Sequence, residues 1–253
     1  MRLEERVALI MGAGSEIGSA IARRFAREGA LIAACESRFA SAERVKDFIK
    51  KEKGKALAFE ADALQRTQVE TVVEKIIDKW GRIDILINDL GERRDAAFLN
   101  MDQEGWSEIV KTRLDGCFNT TQSISCHMAE NQYGRIVNFS AERDVDIITR
   151  DERSNSLAAN AAIEGMTQAL ARELGKHGIT VNCVVPEFIE TRMLRDGARA
   201  EGLYLEDLKK LAASLVPLRR LGKPEEVANL CLFLASEEAS FISGQIIKVK
   251  GGP

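Results

Sequence analysis

Three glycines, Gly12, Gly14 and Gly18, stand between a short apolar run, Val7 to Met11, and a segment in which Ile17, Ala20, Ile21 and Phe25 recur at helical spacing. A strand, a glycine-rich turn and a helix in that order suit one kind of chemistry. The turn aims backbone N–H groups, and the helix its positive end, at the pyrophosphate of a dinucleotide. The glycines let backbone and phosphate approach closely. Glu36, expected to end the second strand, is placed to accept from an adenosine ribose and to repel a 2′-phosphate, which favours NAD over NADP. The same residue reads equally as a solvated charge at a strand end. Glu16 works against the site, because a carboxylate inside the turn puts negative charge beside the phosphates.

Further residues fall where such a ligand would reach. Asp62 follows the third expected strand, where an acidic side chain could meet adenine. Asn88-Asp89-Leu90-Gly91 closes the fourth, at the sheet edge where ligands bind in folds of this kind, and reads equally as a tight turn that needs Asn and Gly. Five cysteines, Cys35, Cys117, Cys126, Cys183 and Cys231, are scattered without a Cys-x-x-Cys pair. They are expected to be reduced core thiols, with no metal site and no disulfide. Only two histidines occur, His127 and His177, which argues against a His-based triad.

The elements that must position these residues alternate along the chain. Strands are expected near Val7–Met11, Leu31–Cys35, Lys55–Glu60, Ile83–Asn88, Gly134–Ser140, Thr180–Val185 and Gln245–Val249. Helices are expected at about Ser15–Glu28, Ala40–Lys53, Gln65–Trp80, Asp102–Asn131, Ser154–His177, Thr191–Leu215 and Pro224–Ala235. Repeated strand–helix units imply an α/β fold, a doubly wound parallel seven-stranded sheet with helices on both faces. With 253 residues, no dividing linker and no internal repeat, the expectation is one domain spanning 1–253. A net charge of −3 does not recommend nucleic acid as a partner. No charged-then-apolar leader follows Met1, and no apolar run nears the ~20 residues a membrane span needs. The expected location is therefore cytoplasmic, with no membrane partner.

Several pieces together resemble the short-chain dehydrogenase/reductase family over essentially the whole chain, nearest to its 3-oxoacyl-ACP reductase and hydroxyacyl-CoA dehydrogenase type. They are GAGSEIG at Gly12–Gly18, NDLG at Asn88–Gly91, GRIVNFSA at Gly134–Ala141, LARELGKHGITVNCVVP at Leu170–Pro186, ETRM at Glu190–Met193, LGKPEEVANLCLFLAS at Leu221–Ser236 and SGQIIKVKGG at Ser243–Gly252. The resemblance implies a Rossmann-type sheet, a nicotinamide cofactor and a tetramer. Its helix contact would use the two long helices, where Ala158, Ala159, Ala161, Ala162 and Gly165 permit close approach.

The resemblance also implies an Asn, Ser, Tyr and Lys set, in which the Tyr is acid/base, the Lys lowers its pKa and holds the nicotinamide ribose, the Ser binds the substrate oxygen and the Asn orders a water. Carried over one by one, those four places hold Arg113, Ala141, Ser156 and Asn160. The two tyrosines, Tyr133 and Tyr204, are followed four residues on by Val137 and Leu208, so no Tyr-x-x-x-Lys occurs anywhere. A serine hydroxyl is a far weaker acid than a phenol, and Asn cannot supply a cation. Gly12, Ile17, Gly18, Glu36, Asp62 and Asn88 survive as vestigial cofactor residues, opposed by Glu16 and by Glu187, which stands where the family has the Gly of a Pro-Gly.

The expectation drawn from these losses is a catalytically inactive subunit. It would have no catalytic residue, no metal and no cofactor of its own, with NAD binding as the alternative. It would complete a heterotetramer with an active paralogue that carries NAD and oxidises a hydroxyacyl-CoA-type alcohol. Two alternatives stand beside it. One is an active NAD-dependent oxidoreductase with a rebuilt acid/base, for instance Asp144 or Asp146 in the charged segment 142–153. The other is a non-catalytic module that binds a nucleotide or an acyl-CoA.

Overall fold

The computed structural model describes residues 1–91, 96–141, 154–200 and 202–252. The chain runs β1 (Val7–Met11), α1 (Glu16–Arg27), β2 (Leu31–Glu36), α2 (Phe39–Lys51), β3 (Lys55–Glu60), α3 (Arg66–Trp80) and β4 (Ile85–Asn88). It continues with α4 (Gln103–Val110), α5 (Gly116–Glu130), β5 (Gly134–Phe139), α6 (Ser154–Leu174), β6 (Ile179–Pro186), α7 (Arg192–Ala200), α8 (Leu205–Leu215), α9 (Pro224–Ala235) and β7 (Ile246–Val249). The seven strands form one sheet in the order β3-β2-β1-β4-β5-β6-β7, and every pairing is parallel. Neighbours β1 and β4 are non-consecutive, so the winding direction reverses between them. That reversal opens a crevice at the carboxyl edge, the usual ligand site of such sheets.

The strand pattern explains the two faces. All five residues of β1 are buried, as expected of a parallel strand covered on both sides. Ala8 and Ile10 join one core with α1, α2 and α9, through Ile21, Phe25, Val45, Ile49 and Leu232. Val7, Leu9 and Met11 join the other core, with Val69, Val72 and Ile76 of α3 and Ile124 and Met128 of α5. Alternation with period two divides one strand between two cores. A third, smaller cluster of Ala198, Leu208, Ala212, Val216 and Leu221 holds α7 and α8 together.

Two expected helices are divided. Asp102–Asn131 breaks into α4 and α5 around a π-helical turn at Lys111–Asp115, and Thr191–Leu215 breaks at Gly202, whose φ of +74° ends the first piece. The expected helix Ser154–His177 finishes in a 3-10 turn, Gly175–His177. Four cysteines are buried and unbridged, and Cys126 is exposed. Among the described residues no helix is long and apolar enough to cross a membrane.

Candidate active site at the carboxyl edge of the sheet

Parallel strands bring their C-terminal ends to one edge, and the singled-out residues follow. Gly12 succeeds β1, Glu36 ends β2, Asp62 lies past β3, Asn88 ends β4, Ala141 lies past β5 and Glu187 succeeds β6. The turn after β1 is drawn tight. Gly12 has φ +77°, and a Cβ there would lie 1.9 Å from the Asp89 carbonyl oxygen. A Cβ on Gly14 would meet Glu36 Oε2 and Ser41 Cβ at 2.7 Å, and one on Gly18 would meet the Gly12 carbonyl oxygen at 2.3 Å. Ser15 caps α1 by accepting the Gly18 N–H at 2.7 Å. Glu36 Oε2 accepts the Gly14 N–H at 3.0 Å, so the acid at the end of β2 is held against the turn. A glycine turn leading into a capped helix N-terminus suits the close approach of a dinucleotide pyrophosphate.

Glu16 does not stand as a bare charge over this turn. Its carboxylate accepts the Arg192 N–H and, at 2.7 Å, the Arg195 guanidinium of α7. The expected opposition to phosphate is therefore largely neutralised, and Glu16 ties the turn to the α7–α8 lobe. Asn88, expected beside the ligand, instead has a buried side chain. Its Nδ2 donates to Asn138 Oδ1 at 3.0 Å and to Thr121 Oγ1 at 3.1 Å, and its Oδ1 accepts from Thr120 Oγ1 at 2.7 Å. It locks β4, β5 and α5 together. Asp62 folds back on its own turn, Oδ1 accepting the Leu64 N–H at 2.9 Å. Ile17 packs against the core beneath α1. Glu187 is half-buried after β6, its N–H bonded to the Val249 carbonyl at 3.0 Å.

Asp89 is the titratable group of the edge. Burial pushes its carboxyl up to about 6, Glu36 pushes the same way, and the Ser15 hydroxyl that donates to it pulls back. The folded value lies above the ordinary 3.8, so the folded chain holds this proton more tightly than the unfolded one. For this group, stability is greatest below pH 3.8, falls as pH rises to about 6, and stays at its lower value above that. Asp89→Asn, which keeps an acceptor for Ser15, should therefore gain on the order of 2 kcal/mol at pH 7.5. The gain should shrink toward zero near pH 4, as urea unfolding at both pH values will measure.

The four places of the proton-transfer set converge, although their residues have changed. Arg113 Nη1 donates to Asn160 Oδ1 at 2.8 Å, and Asn160 Nδ2 to the Ala141 carbonyl at 3.4 Å. Ser156 lies one helical turn before Asn160 and is buried. Asn155 beside it donates to the Gly105 carbonyl at 3.2 Å and so binds α6 to α4. One pair went unseen in the sequence. Ser140, buried at the end of β5, donates to Glu164 Oε1 of α6 at 2.8 Å. Glu164 follows Asn160 by one turn, so Ser156, Asn160 and Glu164 form a stripe on one face of α6. The spacing was visible, but the pairing needs β5 and α6 folded together. Asp144 and Asp146 lie outside the described residues.

Comparison with known proteins agrees with this architecture. A family model described as enoyl-(acyl carrier protein) reductase matches residues 12–253. The chain is 40% identical over 255 residues to 3-oxoacyl-[acyl-carrier-protein] reductase FabG of Thermotoga maritima, covering 100% of this chain and 99% of that one. It is 35% identical over 252 residues to (2S)-[(R)-hydroxy(phenyl)methyl]succinyl-CoA dehydrogenase subunit BbsD of Thauera aromatica, covering 100% and 98%. To FabG of Escherichia coli strain K12 it is 34% identical over 252 residues, covering 100% and 98%. The chain belongs to the short-chain dehydrogenase/reductase family, whose members are nicotinamide-dependent oxidoreductases. The expectation of a catalytically inactive subunit is overturned here, because the full-length relatives are named as reductases and a dehydrogenase subunit. Physically, that expectation counted lost side chains at four places, Arg113 among them, without the Ser140–Glu164 pair that the fold forms between β5 and α6.

Proposed function

We propose that the chain is an active oxidoreductase, specific for NAD over NADP, that interconverts a 3-hydroxyacyl thioester and its 3-oxoacyl counterpart with a rebuilt proton-transfer set. The observation that carries this reading is 40% identity to a 3-oxoacyl-[acyl-carrier-protein] reductase along the entire chain. The choice of NAD rests on Glu36, whose charge beside the turn repels a 2′-phosphate. The turn Gly12–Gly18 would let the pyrophosphate approach the start of α1, where the helix dipole favours its charge, and a bound nicotinamide would supply hydride chemistry. The protein's own residues move the proton. In the oxidative direction the Ser140 oxygen takes the alcohol proton while its own passes to the Glu164 carboxylate, which already accepts from it. Reduction runs the same transfer backward from the protonated carboxyl.

The test uses the purified full chain with NAD and 3-hydroxybutyryl-CoA, and with NADH and acetoacetyl-CoA. An aryl-substituted hydroxyacyl-CoA forms a further arm, because one relative bears the name of such a dehydrogenase. Turnover in both directions is expected. Glu164→Gln should lower kcat by about 100-fold or more while thermal unfolding stays within a few degrees. Full activity in that variant removes the proton route, and absence of turnover in the wild type removes the proposed activity.

The proposal extends to assembly with a paralogous member of the family in a heterotetramer. Exposed small residues support it: Ala161 and Gly165 face outward from α6, and nothing stands within 4 Å of a Cβ built on Gly165. Phe118 of α5 is 46% exposed. Co-expression followed by size-exclusion chromatography and intact-mass measurement tests this, and a lone homo-oligomer overturns it.

A further inference from the structure

Two acids border the glycine turn after β1, and they differ in what they meet. Glu16 is bonded to Arg192 and Arg195. Asp89 follows β4 directly against the turn, its carbonyl oxygen and Cβ at 1.9 and 3.4 Å from the Cβ that Gly12 lacks. Its Oδ2 accepts the hydroxyl proton of Ser15, the cap of α1. The Gly18 N–H of the first helical turn, which Ser15 Oγ accepts at 2.7 Å, also favours the Asp89 charge. A serine hydroxyl has one proton to donate, so the cap spends it on the chain's own carboxylate. Among the described residues, three further titratable or charged groups act on Asp89, each from a different element. Glu36 at the end of β2 repels it, and Arg113 between α4 and α5 attracts it. Cys231 of α9, its thiol pushed well up by burial and by Asp89 itself, stays neutral. Burial outweighs the attractions and holds the Asp89 carboxyl up at about 6.

Above that value the start of α1 carries a negative charge before any ligand arrives. The helix dipole that would favour phosphate already faces an anion of the chain itself. A pyrophosphate brings further negative charge to the same short turn, and like charges that share a partly buried site oppose one another's ionisation. We propose that Asp89 is an electrostatic gate on the dinucleotide site: its carboxylate opposes the pyrophosphate, and NAD binds together with a proton that neutralises that carboxylate. The inference rests on the NAD-binding reading above and deepens it. The direction of the pH dependence follows from linkage. An anionic ligand makes Asp89 hold its proton more tightly than the free site does, so the value in the complex lies above about 6. Affinity therefore rises as pH falls through that interval, and levels off below about 6. Asp89 would then set how tightly the cofactor is held at neutral pH, without touching the reacting atoms.

Calorimetric titration of the full chain with NAD, from pH 5.5 to pH 8.5, tests the gate without turnover. The wild type should bind about tenfold more tightly at the lower pH, the consequence of a rise of about one unit in the Asp89 value on binding. At pH 6.5, heats in two buffers of different ionisation enthalpy should reveal uptake of about half a proton per NAD. Asp89→Asn keeps an acceptor for Ser15 and removes the charge. It should bind NAD at pH 8.5 as tightly as the wild type does at pH 5.5, with no proton uptake. A wild-type affinity that stays flat with pH, or a pH dependence and proton uptake that survive in Asp89→Asn, overturns the gate and leaves NAD binding standing. Binding by Asp89→Asn where the wild type binds nothing at pH 8.5 supports it. If neither protein binds NAD at any pH in the range, the cofactor reading fails, and the gate fails with it, because removing the charge admits nothing.

Discussion

Gly12→Ala is expected to cost about 4 kcal/mol of folding stability, the sum of a strained left-handed backbone at ~1–3 kcal/mol and overpacking at a similar cost. It should also remove NAD binding. The added Cβ would lie 1.9 Å from the Asp89 carbonyl oxygen and 2.9 Å from its carbon. These are backbone atoms, fixed by the β1–β4 ladder that pairs Met11 with Asn88. Nor can Gly12 retreat, because its N–H is bonded to the Cys35 carbonyl at 3.1 Å and its own carbonyl accepts from Ser15 at 3.1 Å. Relief therefore requires β1 and β4 to part at the crevice proposed to hold the cofactor. A control isolates the steric cost. Gly81 has almost the same φ, +76°, with nothing within 4 Å of its Cβ, so Gly81→Ala carries the backbone cost alone, about 1 kcal/mol. Urea unfolding of both variants, with NAD titration by calorimetry, makes the comparison. Equal losses at the two positions would refute the close approach of β1 and β4.

The features legible in the sequence are those in which neighbouring residues determine the outcome. Val7–Met11 could be read as a strand from its own apolar run, and Ser15 as the start of a helix from its place before Ile17, Ala20 and Ile21. The parallel order followed from repeated strand–helix units. What escaped reading depends on partners far along the chain. Glu16 was read as a charge against phosphate, because its partner Arg195 is 179 residues away. Glu164 was passed over because it gains meaning only from Ser140 across α6 and β5. The break at Lys111–Asp115 had no signal, since a π-helical turn adds one residue without interrupting the apolar face. The break at Gly202 did have one: a glycine followed by the Tyr204–Asp207 capping pair, a stop and a start in close succession. The expectation of inactivity failed for a related reason. Checking four positions tests whether each keeps its side chain, and says nothing of side chains elsewhere that the fold brings to the same edge. Ser140 and Glu164, paired between β5 and α6 at 2.8 Å, lie outside those four positions.

The opposite edge of the sheet carries the second large effect. Asp84 precedes β4 and is 1% exposed. Its Oδ1 accepts from Arg82 Nε at 2.8 Å and from Arg6 Nη1 at 3.2 Å, and its Oδ2 accepts the Val7 N–H at 2.9 Å. Its backbone joins in, the N–H bonding the Val7 carbonyl and the carbonyl taking the Arg135 N–H. Arg6 and Arg135 each pair with Glu237 and stack on the Tyr133 ring at 3.8 and 4.3 Å. Asp84 thus joins the beginnings of β1, β4 and β5, by its carboxylate to Arg6, Arg82 and Val7 and by its backbone to Arg135. Its guanidinium partners keep contact with water, Arg6 at 28% and Arg82 at 41% exposed, so removing the carboxylate mainly strands the buried Val7 N–H and forfeits charge-assisted hydrogen bonds, which costs ~2–3 kcal/mol. Asp84→Ala is expected to lose that much by urea unfolding. Asp84→Asn, which keeps an acceptor and most of the volume, should lose about half. Because this cluster lies at the amino edge, away from the crevice, Asp84→Asn that remains folded should keep its KM for NAD. A large rise in that KM would mean that the two edges are coupled through β1 and β4, and that the amino-edge cluster sets the crevice's shape as well as its stability.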